Sequence, residues 1–307
     1  MATPNVFVCG ITGTQGGFVA RELLQRGAHI HALARDMSAP KAKEFAALGA
    51  QLWAGDFDNK DAIHAAIQGC SAIFLNFYPN FQDSTADLRW AKSLLVAARA
   101  AGVKHAIFSS GLTVNAPEKL TRWDPNTLTA SFLLSKQAIE KEVINSGLEF
   151  WTIIRPGNFY TNYVMPAVSM YPGLRETGVV QTALQEDTKL PCIDPITIGK
   201  FVAAAIFDPA KFHAQELEIA DETKTYGEIL EKISTVVGRD LKLVYLDDEA
   251  INAQIDNPFL VGQLLARELL NFIDMDKVGT WGVPLSSLEV FVQREKDRLL
   301  ETYQLPA

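Results

Sequence analysis

A short apolar run, Val6-Phe7-Val8-Cys9, passes directly into Gly10-Ile11-Thr12-Gly13-Thr14-Gln15-Gly16-Gly17. Beyond it, Phe18, Val19, Leu23 and Leu24 recur at helical spacing. A buried strand that turns through glycines into a helix restricts the chain severely. It is the opening of a βαβ unit whose first turn cradles a phosphate group. Gly10 suits the tight turn, Gly13 lets the backbone approach an anion, and Gly16 lets the helix pack close to the strand. The first helical turn then offers free N–H groups and a partial positive charge to that anion. The motif is weak by itself; its place at the first strand-to-helix turn makes it informative.

The rest of the first half repeats the pattern. Strands are expected at 6–9, 30–33, 51–53, 72–77, 106–109 and 150–154, and helices at 16–26, 39–48, 60–68, 86–101 and 131–145. Strict alternation with continuous apolar strands predicts an α/β fold, a doubly wound parallel sheet of Rossmann type covered on both faces. Residues 1–156 form the nucleotide-binding domain in this reading, with 195–221 returning to complete it through a helix at 196–207 and a strand at 217–220. Residues 157–194 and 222–307 form a smaller interleaved α+β lobe for substrate or partner. Its first stretch, rich in Gly, Pro, Tyr and Asn, reads as irregular; helices follow at 226–237, 258–273 and 286–303, with a strand at 241–245. The cluster Phe259, Leu260, Leu264, Leu265, Leu269 and Leu270 reads as lobe core or pocket wall, with a dimer face as the alternative; the chain is expected to be a monomer or a homodimer.

Composition narrows the function classes. Of 307 residues 48% are hydrophobic, enough for a large core, and the formal charge of −8 argues against a nucleic-acid partner, which needs a basic face. Cys9, Cys70 and Cys192 lack paired spacing and read as reduced thiols, with Cys192 in Leu190-Pro191-Cys192 the one expected at the surface. No metal-ligand spacing occurs, and no apolar run is long enough to span a membrane. The N-terminus does not read as a signal peptide. The cytoplasm is the expected compartment, the nucleus the alternative.

Position 35 bears on which dinucleotide would bind. NAD sites usually carry an acid at the end of the second strand. Here Arg35 stands there, suited to a ribose 2′-phosphate, with Lys41 and Lys43 close behind. Asp36 is one position further and is expected to point away.

The glycine spacing is GxxGxxG. With Leu33-Ala34-Arg35-Asp36, Gly55-Asp56-Phe57, Ser109-Ser110-Gly111, Lys136 and Ile154-Arg155-Pro156-Gly157-Asn158-Phe159-Tyr160 in order, it resembles the NmrA-like branch of the atypical short-chain dehydrogenase/reductases, including the HSCARG-type NADP-sensing proteins. The resemblance implies NADP(H) as cofactor. Gly10, Thr12, Gly13, Thr14, Gln15 and Gly16 would hold the diphosphate. Arg35 would take the 2′-phosphate, and Asp56 and Phe57 would flank the adenine. Asn76 and Phe77 would lie over the diphosphate and ribose, and Pro156, Gly157, Asn158 and Phe159 would pass the nicotinamide amide. Asp56 read alone is equally a helix cap, and Phe77 equally plain core.

Short-chain reductases pair a Ser with a Tyr four residues before a Lys, the Tyr giving a proton. This chain has Ser109 or Ser110, and Lys136, but Phe132 where the Tyr would be. Two functions fit. One is an oxidoreductase using NADPH to reduce a small aromatic, quinone-like or conjugated molecule, with Lys136 holding the ribose and relaying a proton. Tyr160, Tyr78 or Tyr163 would be substitute donors. The other is a regulatory protein that senses NADP(H) and contacts a protein partner.

Overall fold

The structure, a computed structural model, describes residues 3–78, 80, 82–254 and 257–304. Consecutive apolar residues form strands, and the inner ones are buried on both faces, as helix-covered parallel strands must be. They are β1 (Asn5–Val8), β2 (His29–Ala34), β3 (Gln51–Ala54), β4 (Ala72–Leu75), β5 (His105–Ser109) and β6 (Phe150–Pro156). Between them run α1 (Thr14–Gln25), α2 (Pro40–Ala47), α3 (Lys60–Ile67), α4 (Ala86–Ala100) and α5 (Leu128–Ile144). Farther along comes α6 (Pro195–Phe207), apolar nearly all round, which packs on α1.

The described residues form a seven-stranded parallel sheet in the order Gln215–Ile219, β6, β5, β4, β1, β2, β3. The expected return strand thus joins the sheet beside β6: Ala214 N donates to Trp151 O at 2.9 Å and Gly157 N to Ile219 O at 2.9 Å. Strand order reverses between β1 and β4. That reversal opens a crevice beyond the carboxyl ends of these strands, where ligands of doubly wound sheets sit. Phe7, Ile73, Phe108 and Ile153 fill one face of the sheet against α3, α4 and α5.

Two compact units divide the chain. The first comprises Met1–Val114, Ser131–Arg155 and Pro195–Leu217. The second comprises Asn115–Ala130, Pro156–Asp194 and Glu218–Ala307. Strand–helix alternation alone assigns Asn115–Ala130 to the first half. In the structure this segment is tied within the second unit, where Thr121 N and Oγ1 donate to Glu268 at 3.1 and 3.0 Å.

The second unit corrects several expectations. The stretch after residue 157 is not irregular: it holds strands at Asn158–Phe159, Val179–Thr182 and Lys189–Ile193. Their partners lie far along the chain, Cys192 opposite Glu222 and Val179 opposite Lys242, so little local pattern marks them. The expected helix at 258–273 breaks after Pro258–Ala266, where Arg267 Nε donates to Ala183 O at 2.7 Å and Glu268 turns to Thr121. The helix expected at 286–303 is two, Leu288–Arg294 and Lys296–Tyr303, meeting at Glu295. Cys192 is fully buried in this unit's core among Leu190, Tyr160 and Ile229, not exposed, because its strand runs through the middle of a small sheet.

Candidate functional site

The cradle forms where β1 ends. Gly10 has φ +65°, a conformation that side-chain-bearing residues rarely adopt. Gly13 N donates to Gly10 O at 2.8 Å and closes the turn, and Gly13 becomes the N-cap of α1. No side chain caps this helix, and its first turn carries no acid. Its leading amides are therefore free for an anion, with the helix dipole behind them. A Cβ at Gly16 would lie 2.5 Å from Cys9 O, so only glycine lets α1 start this close to β1. Thr12 is half-buried in the loop, and Thr14 is exposed at its lip.

Gln15 ties the cradle to the next two strands. Its Nε2 donates to Asn76 Oδ1 at 3.0 Å, and Ser109 Oγ donates to its Oε1 at 2.6 Å. The ends of β4 and β5 are thereby pinned to the first turn of α1. Ser109 is fully buried and its proton is engaged by Gln15. Its neighbour Ser110 is also buried, but its hydroxyl has no hydrogen-bond partner among the described residues.

At the end of β2, Arg35 is exposed and forms no ion pair among the described residues. Asp36 is occupied locally: its Oδ1 accepts from Ser38 N at 2.7 Å and Ser38 Oγ at 2.6 Å, which holds the carboxyl below its usual range. Lys41 and Lys43 are exposed nearby in sequence. Asp56 accepts from the amides of Asp58 and Asn59 at 3.0 and 3.1 Å and so shapes the turn, while Asn59 caps α3. Phe57 meets Phe77 edge-on at 5.7 Å, and Phe77 is buried against Phe108 at 6.4 Å.

Lys136 sits on α5. Its Nζ donates to Ser110 O at 3.4 Å and lies 5.7 Å from the centre of the Phe108 ring. Desolvation pushes this amine below the usual lysine range, and the charges of Asp87 and Glu140 pull it back up. Phe132 lies one turn earlier on the same helix face and brings no hydroxyl.

Asp87 belongs to the same neighbourhood and escapes a sequence reading. It lies in the first turn of α4 at 8% exposure, and its Oδ1 has no hydrogen-bond partner among the described residues. Burial raises its carboxyl, and the Lys136 charge opposes that rise. One signal was available: Asp87, Ala91, Leu94 and Ala98 share the buried stripe of α4, where an acid is out of place.

The remaining candidates belong to the second unit. Pro156 ends β6, and Asn158–Phe159 pairs in parallel with Cys192 and Ile193. Asn158 Nδ2 donates to the Tyr163 hydroxyl at 3.5 Å. Tyr160 is fully buried and donates to Glu222 Oε1 at 3.0 Å; burial raises its hydroxyl far above the usual tyrosine range. Tyr163 is buried and stacks on Tyr171 at 5.5 Å. Tyr78, in the first unit, is 76% exposed. Among the described residues no group of His, Cys, Asp or Glu is arranged to hold a metal, and no helix is long and apolar enough to cross a membrane.

Comparison with known proteins follows the same lines. The sequence model of the NmrA-like family matches residues 2–304. An NAD(P)H azoreductase of Xenophilus azovorans is 29% identical over 241 residues, covering 78% of this chain and 76% of the relative. An NADPH-dependent quinone oxidoreductase of Escherichia coli, solved with NADPH, superposes with a TM-score of 0.69 at 21% identity, over 94% of this chain and 99% of that one. NmrA, a negative transcriptional regulator solved with NADP, gives a TM-score of 0.66 at 18% identity, over 99% of this chain and 93% of that one. At these identities the two structures establish a shared fold.

Proposed function

The chain belongs to the NmrA-like family, and from that premise we propose that it is an NADPH-dependent reductase of a small aromatic, quinone-like or conjugated acceptor. The observation that carries this reading is Lys136, a desolvated amine that donates to Ser110 O at 3.4 Å just beyond the carboxyl end of β5 and feels the charge of the buried Asp87. Burying such groups costs folding free energy, and that cost is usually retained where the groups do chemistry.

The cofactor fits the residues present. The uncapped first turn of α1 and the Cβ-free approach at Gly16 suit a diphosphate. Arg35, exposed and without an ion-pair partner among the described residues, suits a 2′-phosphate, while Asp36 is already bound to Ser38 and is not offered to a ribose hydroxyl. Bound NADPH supplies a hydride. The chain's own part is to hold the cofactor, exclude water and provide a proton through Lys136. With Phe132 in place of a tyrosine, acceptors that spread the incoming charge over a conjugated system are favoured over simple ketones. The azoreductase and the quinone oxidoreductase among the similar proteins act on acceptors of that kind.

The test is oxidation of NADPH by the purified protein against quinones, enones and azo dyes. Lys136→Ala is expected to lower kcat/KM by roughly 100-fold or more. Phe132 favours a second reading, a regulator that binds NADP(H) without turnover. Tight NADPH binding, no turnover with any acceptor, and a partner affinity that differs between NADPH and NADP⁺ would establish it instead.

A further inference from the structure

We propose that the second unit docks an extended, basic segment of a partner protein, which adds as a third strand to the free edge of Lys242–Tyr245. The site lies wholly within that unit and does not depend on the reductase reading.

The strand Lys242–Tyr245 pairs in parallel with Val179–Thr182, and among the described residues this sheet has two strands. Lys242 N donates to Gly178 O at 2.7 Å and Leu246 N to Thr182 O at 2.9 Å. Along a strand, the peptide groups of alternate residues point to opposite edges. Those of Lys242, Val244 and Leu246 therefore serve the existing ladder, and those of Leu243 and Tyr245 point away from it. No strand among the described residues takes up that outer row. A row of unpaired N–H and C=O groups is a template on which another chain can pair.

This edge borders a groove. Leu241 N, the outward amide just before the strand, donates to Ser234 Oγ at 3.0 Å and so ties the edge to the helix Tyr226–Val237. Between helix and strand lies a groove of about 390 Å³, with Leu230, Leu241 and Leu243 as its apolar lining. At its other end Gly227 faces Tyr245: a Cβ on this glycine would lie 3.8 Å from the tyrosine hydroxyl. A larger side chain there would fill the groove. The helix is fixed at both ends, by a capping box at Thr225 and Glu228 and by a left-handed Gly238, so the groove is formed in advance. Residues 241–245 span about 13 Å, room for a short extended segment that would present every second side chain to the groove.

Charge selects the occupant. The charged side chains that line the groove are Glu231 and Asp240, both exposed. Glu231 forms no ion pair among the described residues, and Asp240 meets Lys242 at 2.8 Å on the surface. An acidic rim over an apolar lining favours Lys or Arg alternating with aliphatic residues. A second copy of this chain fits less well. Antiparallel pairing of two such edges through Leu243 and Tyr245 would set Asp240 of one copy opposite Asp248 of the other, and like charges so placed are destabilising.

The experiment uses the full chain. Phage-displayed random heptapeptides are selected on it, and the most enriched peptide is synthesised with a fluorophore and titrated by anisotropy. Enrichment of Lys or Arg alternating with Val, Ile or Leu is expected. Glu231→Lys should weaken that peptide by roughly tenfold. Tyr245→Pro removes an outward N–H without touching the existing ladder. It should weaken binding about fivefold or more beyond Tyr245→Ala, which removes the same side chain. Gly227→Leu should weaken it by roughly tenfold or more. In hydrogen exchange followed by NMR, the Leu243 and Tyr245 amides should slow by about tenfold or more at saturating peptide, with Lys242 and Val244 little changed. No enrichment over bare resin, or an enriched peptide without basic residues, overturns the proposal. So does binding that Glu231→Lys and Tyr245→Pro leave intact. Should Tyr245→Pro fail to fold, Gly227→Leu and the two amides decide on the same terms. A concentration-dependent dimer in sedimentation that Tyr245→Pro abolishes would put a second copy on this edge and overturn the peptide assignment.

Discussion

Arg155 grips Glu140 with two nitrogens, Nε to Oε1 at 2.9 Å and Nη2 to Oε2 at 2.7 Å, and Glu140 lies one helical turn beyond Lys136 on α5. Both side chains are almost fully buried, and the guanidinium also meets Glu216 on the neighbouring strand. The fork locks α5 onto β6 and so sets the depth of Lys136. Arg155→Met would strand the Glu140 carboxylate without its partner, a loss that typically costs about 3–5 kcal/mol. Chemical denaturation should show that drop, and pairing the change with Glu140→Met should restore much of it. Arg155→Lys cannot span both oxygens and is expected to fall between wild type and Arg155→Met. A single variant as stable as wild type would refute the locking role.

Cofactor choice turns on Arg35. Charge-assisted hydrogen bonds to a phosphate contribute about 1.5–3 kcal/mol, so Arg35→Ala should weaken NADPH by roughly 10- to 100-fold and leave NADH nearly unchanged. Calorimetry with both nucleotides measures the difference. An equal effect on the two would remove the 2′-phosphate from the Arg35 site.

At the cradle the expected outcome is steric. Gly16→Ala places a methyl group 2.5 Å from Cys9 O, against backbone that cannot swing aside. Either α1 shifts outward or the turn opens, and both move the leading amides away from the diphosphate. NADPH binding is expected to weaken by on the order of 100-fold, with a stability loss of about 1–3 kcal/mol. Wild-type affinity in Gly16→Ala would show that the close approach at this turn is not needed for binding.

These residues differ in how plainly the chain announces them. The cradle and the sheet of the first unit are legible because their signals are local: a strand, a glycine turn and a helix follow one another within about twenty residues. Arg35 is legible by position for the same reason. Gln15 and Ser109 are legible as motif members, but the hydrogen bond between them is not, since it joins residues 94 apart in sequence. Arg155 reads as part of a motif, but its partner Glu140 becomes evident only when α5 lies against β6. Asp87 is half legible, an acid on an apolar stripe whose charge is felt by Lys136 on another helix, which no local pattern announces. In the second unit, Leu190-Pro191-Cys192 argues against a strand, because proline removes a ladder donor. Pro191 nonetheless stands opposite Thr223 in the antiparallel pair, in a register fixed by a segment about thirty residues away.

The last prediction concerns acid. His105 is buried at the start of β5, with Nε2 2.9 Å from Thr152 Oγ1, and that hydroxyl in turn donates to Phe212 O at 2.8 Å. Thr152 has spent its proton, so the ring donates from Nε2 and leaves Nδ1 bare, with no partner among the described residues. Adding a proton at Nδ1 would bury a cation. Burial, with a smaller contribution from the nearby His213 charge, pushes the ring down to about 4. In the unfolded chain the ring titrates near 6.5. Between those values the unfolded state binds more protons than the folded one, so stability falls as pH falls through this window and is regained above it. The protein should be about 2 kcal/mol less stable at pH 5 than at pH 7 on account of this ring. Denaturation curves at the two pH values, for wild type and His105→Gln, isolate the contribution. The variant should lose stability at neutral pH but show a smaller difference between the two conditions. An identical pH dependence in both proteins would mean that His105 is not the group responsible.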